Sequence, residues 1–173
     1  MTSFSSSAFS SKTVLITGGS SGIGFATAKA FLAQGAARVY LTGRDANKLA
    51  KVAAELGGKA IGIVADVADL TQLEQLKTTI TENGDQLDII FANAGVAHNN
   101  SVGSTSAADF ATIFDTNVKG VFFTVQTLMP LVKQGGSIVL NASVAGNKGM
   151  PNLSLLTAAF NKVKNSSAKL RCT

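Results

Sequence analysis

Cysteine, proline, tyrosine and tryptophan are scarce in this sequence, which has one, two, one and none of them among 173 residues. A single cysteine excludes an intrachain disulfide and a metal site built from several cysteines, and it favours a reducing compartment. No other pattern points to a metal. The 17 glycines and the 46% hydrophobic content instead indicate a compact α/β protein with many tight connections.

Long hydrophobic runs are also missing. No apolar stretch reaches the roughly 18 residues that a membrane span requires, so we expect no membrane segment. The serine-rich start has neither the basic region nor the apolar region of a secretory signal. We therefore predict a flexible leader over residues 1–11 and a cytoplasmic protein.

Acidic residues are absent from the last third of the chain. All ten lie at or before Asp115, whereas seven of the fifteen basic residues follow it. These later bases are scattered rather than clustered, which favours a solvated surface over a nucleic-acid site. We expect no nucleic-acid partner.

Short apolar runs alternate with helical patterns. The runs cover residues 13–17, 38–42, 60–64, 87–92 and 137–142. Nearly continuous apolar character is typical of strands that are covered on both faces. Right-handed crossovers then predict a doubly wound parallel sheet in one domain. The first and third helices carry apolar stripes, which are Ile23, Ala26, Ala30 and Phe31, and Leu70, Leu73, Leu76 and Ile80.

A glycine-rich turn follows the first strand and opens a helix in "TVLITGGSSGIGFATAKAF". We assign Gly18 to the tight turn, Gly22 to the approach of a phosphate, and Gly24 to close packing of helix and strand. Free N–H groups and the helix dipole favour an anion there, and Ser20 and Ser21 add hydroxyl donors. The alternative is a glycine turn that binds nothing.

The spacing TGxxxGxG, from Thr17 to Gly24, resembles the short-chain dehydrogenase/reductase family. Four more motifs of that family follow in order: "ADV", "NAG", "FDTNVKG" and "GGSIVLNASVAG". The resemblance covers about residues 12–155 and implies a Rossmann-like, dinucleotide-binding domain over 12–154 with strand order 3-2-1-4-5. It implies cofactor contacts from Gly18, Ser20, Ser21, Gly22, Ile23, Gly24, Arg44, Asp66, Val67, Asn93, Ala94 and Gly95.

The residue after the second strand bears on the choice of cofactor. A carboxylate there favours the free 2′-hydroxyl of NAD, whereas an arginine accommodates the 2′-phosphate of NADP. This chain has Arg44 in "LTGRD". We therefore predict NADP rather than NAD. The alternative is a surface arginine that pairs with Asp45.

The family transfers hydride between nicotinamide and a small carbonyl or alcohol, and the resemblance places Asn117 and Ser143 in the active site. Its tyrosine and lysine would fall on Leu156 and Phe160, neither of which can donate a proton, and the one tyrosine, Tyr40, lies in the second strand. Acid–base groups contribute roughly 10²–10⁴-fold to rates. We expect impaired catalysis. The alternative is a non-catalytic nucleotide-binding or dimerising module.

Resemblance to the family fades after about residue 154. We therefore expect a divergent basic tail over 155–173, without the last strands of the family, as from a truncation, a frameshift or a splice variant. The fifth strand would then lie at an apolar edge of the sheet with unpaired backbone groups. Such an edge predicts a homo-oligomer or aggregation.

Overall fold

The computed structural model describes residues 8–99, 103–148 and 152–166, and the side chains of its last helix up to Phe160. The strands are β1 (Thr13–Ile16), β2 (Arg38–Gly43), β3 (Ala60–Val64), β4 (Leu87–Ala92) and β5 (Val132–Leu140). The helices are α1 (Gly22–Ala33), α2 (Ala46–Leu56), α3 (Leu70–Glu82), α4 (Ala107–Phe114), α5 (Val121–Leu128) and α6 (Ser154–Ser166). A π-helical segment, Asp115–Gly120, joins α4 to α5.

All five strands are parallel, in the order β3-β2-β1-β4-β5. This confirms the predicted doubly wound, Rossmann-like sheet. Within the described residues β5 pairs with β4 alone and lies at the edge of the sheet. Its side chains are at most half-buried, and Val139 is 48% exposed.

Successive strand residues point to opposite faces of the sheet, so each strand contributes to two cores. Leu15 and Tyr40 lie in one hydrophobic cluster with residues of α3 and α5. Val14 and Val39, their sequence neighbours, lie in a second cluster with residues of α1 and α2. Helices therefore cover both faces, which explains the continuous apolar runs.

The stripe predicted for α1 is wrong at three of its four positions, while Phe31 packs against the second cluster as predicted. Gly24 and Ala28 are its buried residues, whereas Ile23 is 63% exposed and Ala26 and Ala30 are exposed too. Only small residues fit where this helix crosses the sheet so closely. The stripe of α3 is confirmed at three of its four positions, since Leu73, Leu76 and Ile80 are buried and Leu70 is 41% exposed.

Two aspartates cap the helices that follow β2 and β3. The Asp45 side chain accepts a hydrogen bond from the Lys48 N–H at 3.0 Å, and that of Asp69 accepts from the Thr71 and Gln72 N–H groups. Each carboxylate satisfies donors that the first helical turn leaves unpaired. Both helices thus begin where the strand-to-helix connection places an aspartate.

An ion cluster holds the start of β5 against β4. Asp88 is 7% exposed and accepts from Lys12 Nζ at 2.9 Å, Lys133 Nζ at 2.8 Å and the Thr13 N–H at 2.9 Å. Burial acts to raise the pKa of Asp88, but these hydrogen bonds together lower it. The cluster lies at an irregularity in the pairing of β4 with β5. Leu87 pairs with Val132 and Ile89 with Ser137, so β5 has extra residues between these two pairs. The predicted strand 137–142 therefore begins earlier, at Val132, and ends at Leu140.

The ends of the described chain pack against the domain. The Phe9 ring meets that of Phe31 edge-on at 4.7 Å, and the Phe9 N–H donates to the Gln34 carbonyl oxygen at 3.1 Å. Residues 1–7 of the predicted leader and 167–173 of the predicted tail lie outside the described residues. None of the helices described here has the length and hydrophobicity needed to cross a membrane.

Tyr40 anchors β2 to the turn between α3 and β4. Its buried hydroxyl donates to Asp85 and accepts from Asn83 Nδ2 at 3.0 Å, and Arg38 binds the same Asp85 carboxylate. Burial raises the pKa of Tyr40, and the hydrogen bond to Asp85 adds to that effect.

Tyr40 should therefore ionise only above pH 10, since the ordinary pKa of a tyrosine is about 10. Stability is intact below about pH 10 and falls as the pH rises further, because the unfolded chain releases a proton that the folded chain retains. Absorbance at 295 nm reports this one tyrosine. A midpoint at or below pH 10 in the folded protein would contradict the prediction. Tyr40→Phe, which has no ionising group, should abolish the signal and lower the free energy of unfolding by about 1–2 kcal/mol.

Candidate functional site

A pocket of about 500 Å³ opens at the carboxyl ends of the strands, where the connections from β1 and β4 diverge. Ligands of open α/β sheets bind at such a switch point. The predicted residues that line it are Gly18, Ser20, Ser21, Gly22, Ile23, Arg44, Asp66, Val67, Asn93, Ala94, Gly95, Asn117 and Ser143. Gly24, also predicted, lies behind the turn rather than in the pocket wall.

The turn from β1 to α1 needs glycine for two different reasons. Gly18 has φ +65°, and a Cβ there would lie 2.9 Å from the Ala94 Cα. A Cβ on Gly24 would lie 2.3 Å from the Gly18 carbonyl oxygen. Gly22, with φ +53°, has no atom within 4 Å of an added Cβ, so its backbone faces open space. The turn is closed on the side of β4 and open on the side of the pocket.

The start of α1 keeps its donors available. Ser21 occupies the N-cap position, but its side chain makes no capping hydrogen bond. The first N–H groups of a helix have no partner within the helix, and the dipole favours an anion beside them. The Ser21 hydroxyl and these N–H groups lie where the pocket meets the helix.

The end of β2 provides a cation without a partner. Arg44 is exposed and forms no salt bridge within 4.0 Å to any described residue. Asp45, the partner considered for it, instead caps α2 and lies 4.0 Å from Lys48 Nζ. Thr42, two residues before Arg44, is fully buried, lines the pocket, and leaves its Oγ1 without a hydrogen bond in the described structure.

The end of β3 contributes Asp66 and Val67. The Asp66 Oδ1 accepts from the Ala68 N–H at 2.9 Å, and the Asp66 N–H donates to Gln72 Oε1 at 2.8 Å. These bonds hold the carboxylate at the pocket wall. Val67 is 4% exposed and packs closely against Gly120. A Cβ added to Gly120 would lie only 2.7 Å from Val67 Cγ2.

Asn93 joins the end of β4 to the glycine turn. Its Nδ2 donates to the carbonyl oxygens of Thr17 at 3.0 Å and Gly18 at 3.3 Å, while Thr17 Oγ1 accepts from the Asn93 and Ala94 N–H groups. Asn141, at the end of β5, donates to Asn93 Oδ1 at 2.9 Å. Three strand ends are therefore linked through one amide.

Asn117 lies in the π-helical segment and is 1% exposed. Its Oδ1 accepts from the Val96 N–H at 2.9 Å and its Nδ2 donates to the Val96 carbonyl oxygen at 2.8 Å. Both amide groups thus hold the chain that follows β4. In this structure Asn117 acts on the backbone of the pocket wall.

Ser143 lines the pocket together with residues of α6. Its Oγ accepts from the Ala145 N–H at 3.2 Å, which leaves the hydroxyl hydrogen for a ligand. Leu156, 6% exposed, and Phe160 line the same region. A Cβ on Gly146 would lie 3.0 Å from the Phe160 backbone, so α6 packs tightly onto the turn after Ser143. The positions aligned with the tyrosine and lysine of the family are thus apolar parts of the wall.

Sequence reasoning missed several residues in and around the site, among them Thr17, Thr42 and Asn141. Thr17 is the first residue of the glycine motif, and Asn141 comes two residues before Ser143. Their positions next to predicted site residues could therefore have indicated that both belong to the site. Thr42 lies within an apolar strand and offered none.

A family model described as short chain dehydrogenase matches residues 12–171. The chain belongs to this family. It is 38% identical over 156 residues to the oxidoreductase asL5 of Sarocladium schorii, a match that covers 89% of this chain and 62% of that protein. It is 36% identical over 165 residues to the levodione reductase of Leifsonia aquatica, covering 91% and 62%. The chain thus spans about three fifths of the length of these two relatives.

Solved structures of the family share this architecture. A short chain dehydrogenase/reductase from Burkholderia phymatum, crystallised in complex with NAD, superimposes with a TM-score of 0.86 at 31% identity. That match covers 91% of this chain and 58% of the other. The Rossmann-like fold of this chain is that of the short-chain dehydrogenase family.

Gly24→Ala should lower the free energy of unfolding by about 1–3 kcal/mol, because the methyl group would force the turn away from the Gly18 carbonyl oxygen and Asn93. Urea unfolding measures the change. Gly58→Ala is the matched control, since Gly58 is exposed and its Cβ would meet nothing within 4 Å. The control should stay within about 0.5 kcal/mol of the parent. Equal effects of the two substitutions would contradict the packing role.

Proposed function

We propose that this chain binds NADP(H) at the pocket and, with the residues it has, does not reduce carbonyl substrates at a useful rate. The observation that carries the nucleotide proposal is the pairing of an open glycine turn with a free arginine at the next strand end. Gly22 leaves room for a phosphate, and Arg44 is without an ion pair in the described structure. Both residues line the pocket.

The glycine turn fits a pyrophosphate. The N–H groups at the start of α1 and the hydroxyls of Ser20 and Ser21 are donors, and an anion gains from the helix dipole. The order of the strands then directs the adenosine toward β2 and β3. Asp66 and Val67 would flank the adenine there.

Arg44 favours NADP over NAD. A guanidinium beside the ribose binds a 2′-phosphate through charge-assisted hydrogen bonds, which are stronger than those between neutral groups. The relative from Burkholderia phymatum was solved with NAD, so NAD(H) is the competing cofactor in any test. Arg44 is exposed and has no ion-pair partner among the described residues, which supports its being available for this contact.

When bound, NADP(H) would supply the hydride that is exchanged with a carbonyl or alcohol carbon. The Ser143 hydroxyl has a hydrogen with which to orient a carbonyl oxygen, and Asn117 holds the Val96 backbone in the pocket lining. Proton transfer is what these residues cannot perform. Leu156 and Phe160 line the pocket with carbon atoms alone, so neither of these two side chains could donate a proton to the developing alkoxide.

The parent chain should bind NADP(H) more tightly than NAD(H), and Arg44→Ala should remove about tenfold of that preference, the equivalent of 1.4 kcal/mol. Titration calorimetry with both cofactors measures it. Lys48→Ala is the matched control, because it removes one exposed positive charge from the start of α2 outside the pocket. Equal affinities of the parent chain for the two cofactors would refute the NADP assignment.

Carbonyl reduction by the unmodified chain should stay at background across a panel of aldehydes and ketones. NADPH absorbance at 340 nm measures it. NADPH oxidation that disappears with Ser143→Ala would refute the proposal and require a proton donor elsewhere.

Association through β5 is a second candidate function. The strand is unpaired on its outer side within the described residues, and Val139 is 48% exposed. Unpaired N–H and C=O groups with apolar neighbours are a template for another strand. Sedimentation should show dimers or larger species that depend on concentration. A single stable monomer at high concentration would exclude this function.

A further inference from the structure

The two halves of the pocket differ in how many hydrogen-bonding groups remain for a ligand. One half lies at the ends of β1, β2 and β3, and the other at the ends of β4 and β5 with the π-helical segment and α6. Under the proposed function, on which this inference rests, a dinucleotide would place its adenosine in the first half and its nicotinamide riboside in the second.

Polar groups in the first half are unused. The Ser21 side chain makes no capping bond, Thr42 Oγ1 is buried without a partner, and Arg44 has no ion pair in the described structure. A buried hydroxyl without a partner costs free energy, and an ordered ligand or its bridging water would recover it. This half is therefore prepared for a strongly polar ligand.

Amide groups in the second half are already bound to the protein. Asn93 uses its Nδ2 for Thr17 and Gly18 and its Oδ1 for Asn141. Asn117 uses both its groups for Val96. These side chains shape the wall but have little left to offer a ligand.

The rest of the second half is mostly apolar. Val96, Val121, Leu156 and Phe160 line it, and Leu156 is held by the packing of α6. The remaining polar side chains that line this half are Ser143, with its hydroxyl hydrogen, Thr116, which is 8% exposed, and Asn141, which already donates to Asn93. A riboside and a carboxamide placed here would lose their hydrating water and find few hydrogen-bonding partners. The cost of this desolvation offsets much of the binding free energy that their contact area contributes.

We propose that this chain recognises the 2′-phosphorylated adenosine half as a sufficient ligand and does not read the nicotinamide. Adenosine 2′,5′-bisphosphate should then bind within tenfold of NADP⁺. NADP⁺ and NADPH should bind equally within threefold, because the oxidation state resides in the ring that the pocket does not contact through polar groups. Nicotinamide mononucleotide should not bind measurably.

Titration calorimetry on the full chain, with these four ligands and NAD⁺, tests the proposal. NADP⁺ binding more than tenfold tighter than the bisphosphate, or nicotinamide mononucleotide binding as well as the bisphosphate, would overturn this inference while leaving the proposed function intact. Failure of every ligand to bind would overturn the proposed function itself. NAD⁺ binding as well as NADP⁺ would remove the role of the 2′-phosphate.

Arg44→Ala gives a second measurement. It should weaken the bisphosphate and NADP⁺ by the same factor, about tenfold, since both would make the same contact. Lys48→Ala should weaken neither. A loss confined to the bisphosphate would show that the nicotinamide half holds NADP⁺ in place, and would overturn the inference.

Discussion

The close approach of the β1–α1 turn to the end of β4 is the constraint on which the rest of the site depends. A Cβ on Gly24 would lie 2.7 Å from Asn93 Nδ2, so the turn and the asparagine occupy adjoining space. The Asn93 amide in turn donates to the carbonyl oxygens of Thr17 and Gly18, and its Oδ1 accepts a hydrogen bond from Asn141. This contact thus fixes the β1–α1 turn against the end of β4, beside the pocket.

The two ends of the sheet use polar groups differently. At the amino ends of the strands Asp88 collects two lysines and a backbone N–H, so its charge is balanced within the protein. At the carboxyl ends Arg44 and Thr42 have no such partners in the described structure. A buried carboxylate that is paired can be kept within a fold, whereas the buried Thr42 hydroxyl and the exposed Arg44, without partners in the described structure, are groups that a ligand could bind. The distribution separates the part of the sheet that maintains the fold from the part that binds.

Much of the fold could be predicted because the sheet is buried on both faces. Each of β1 to β4 is a short apolar run, and its bounds were predicted within one residue. The start of β5 was not visible, because Val132 joins the strand through the ion cluster of Asp88 and not through an apolar pattern. The stripe of α1 failed for a similar reason. Apolar periodicity does not show how closely a helix packs on the sheet. Here α1 packs so closely that its buried positions are the small residues Gly24 and Ala28.

The candidate site was predictable where residues of the motifs line the pocket, and less so where a side chain acts on the backbone. Asn117 and Ser143 were both predicted to be catalytic, and both line the pocket. The amide of Asn117 is nonetheless committed to Val96, a partner 21 residues away that no local pattern reveals. Thr42 was missed because a hydroxyl in an apolar strand looks like a β-forming residue until its lack of a partner is known.

The packing of α6 explains why the second half of the pocket is poor in polar groups. Leu156 and Ala159 are buried, and the Phe160 backbone lies against Gly146 in the turn that follows Ser143. A charged or hydroxylated residue at 156 would have to lose its hydration in that contact, which costs free energy unless a partner is present. The helix is therefore held by the same apolar side chains that close the pocket. Apolar residues at these positions stabilise the packing of α6 on the domain, whereas polar residues would be needed to bind a ligand in this half of the pocket. The residues present are apolar.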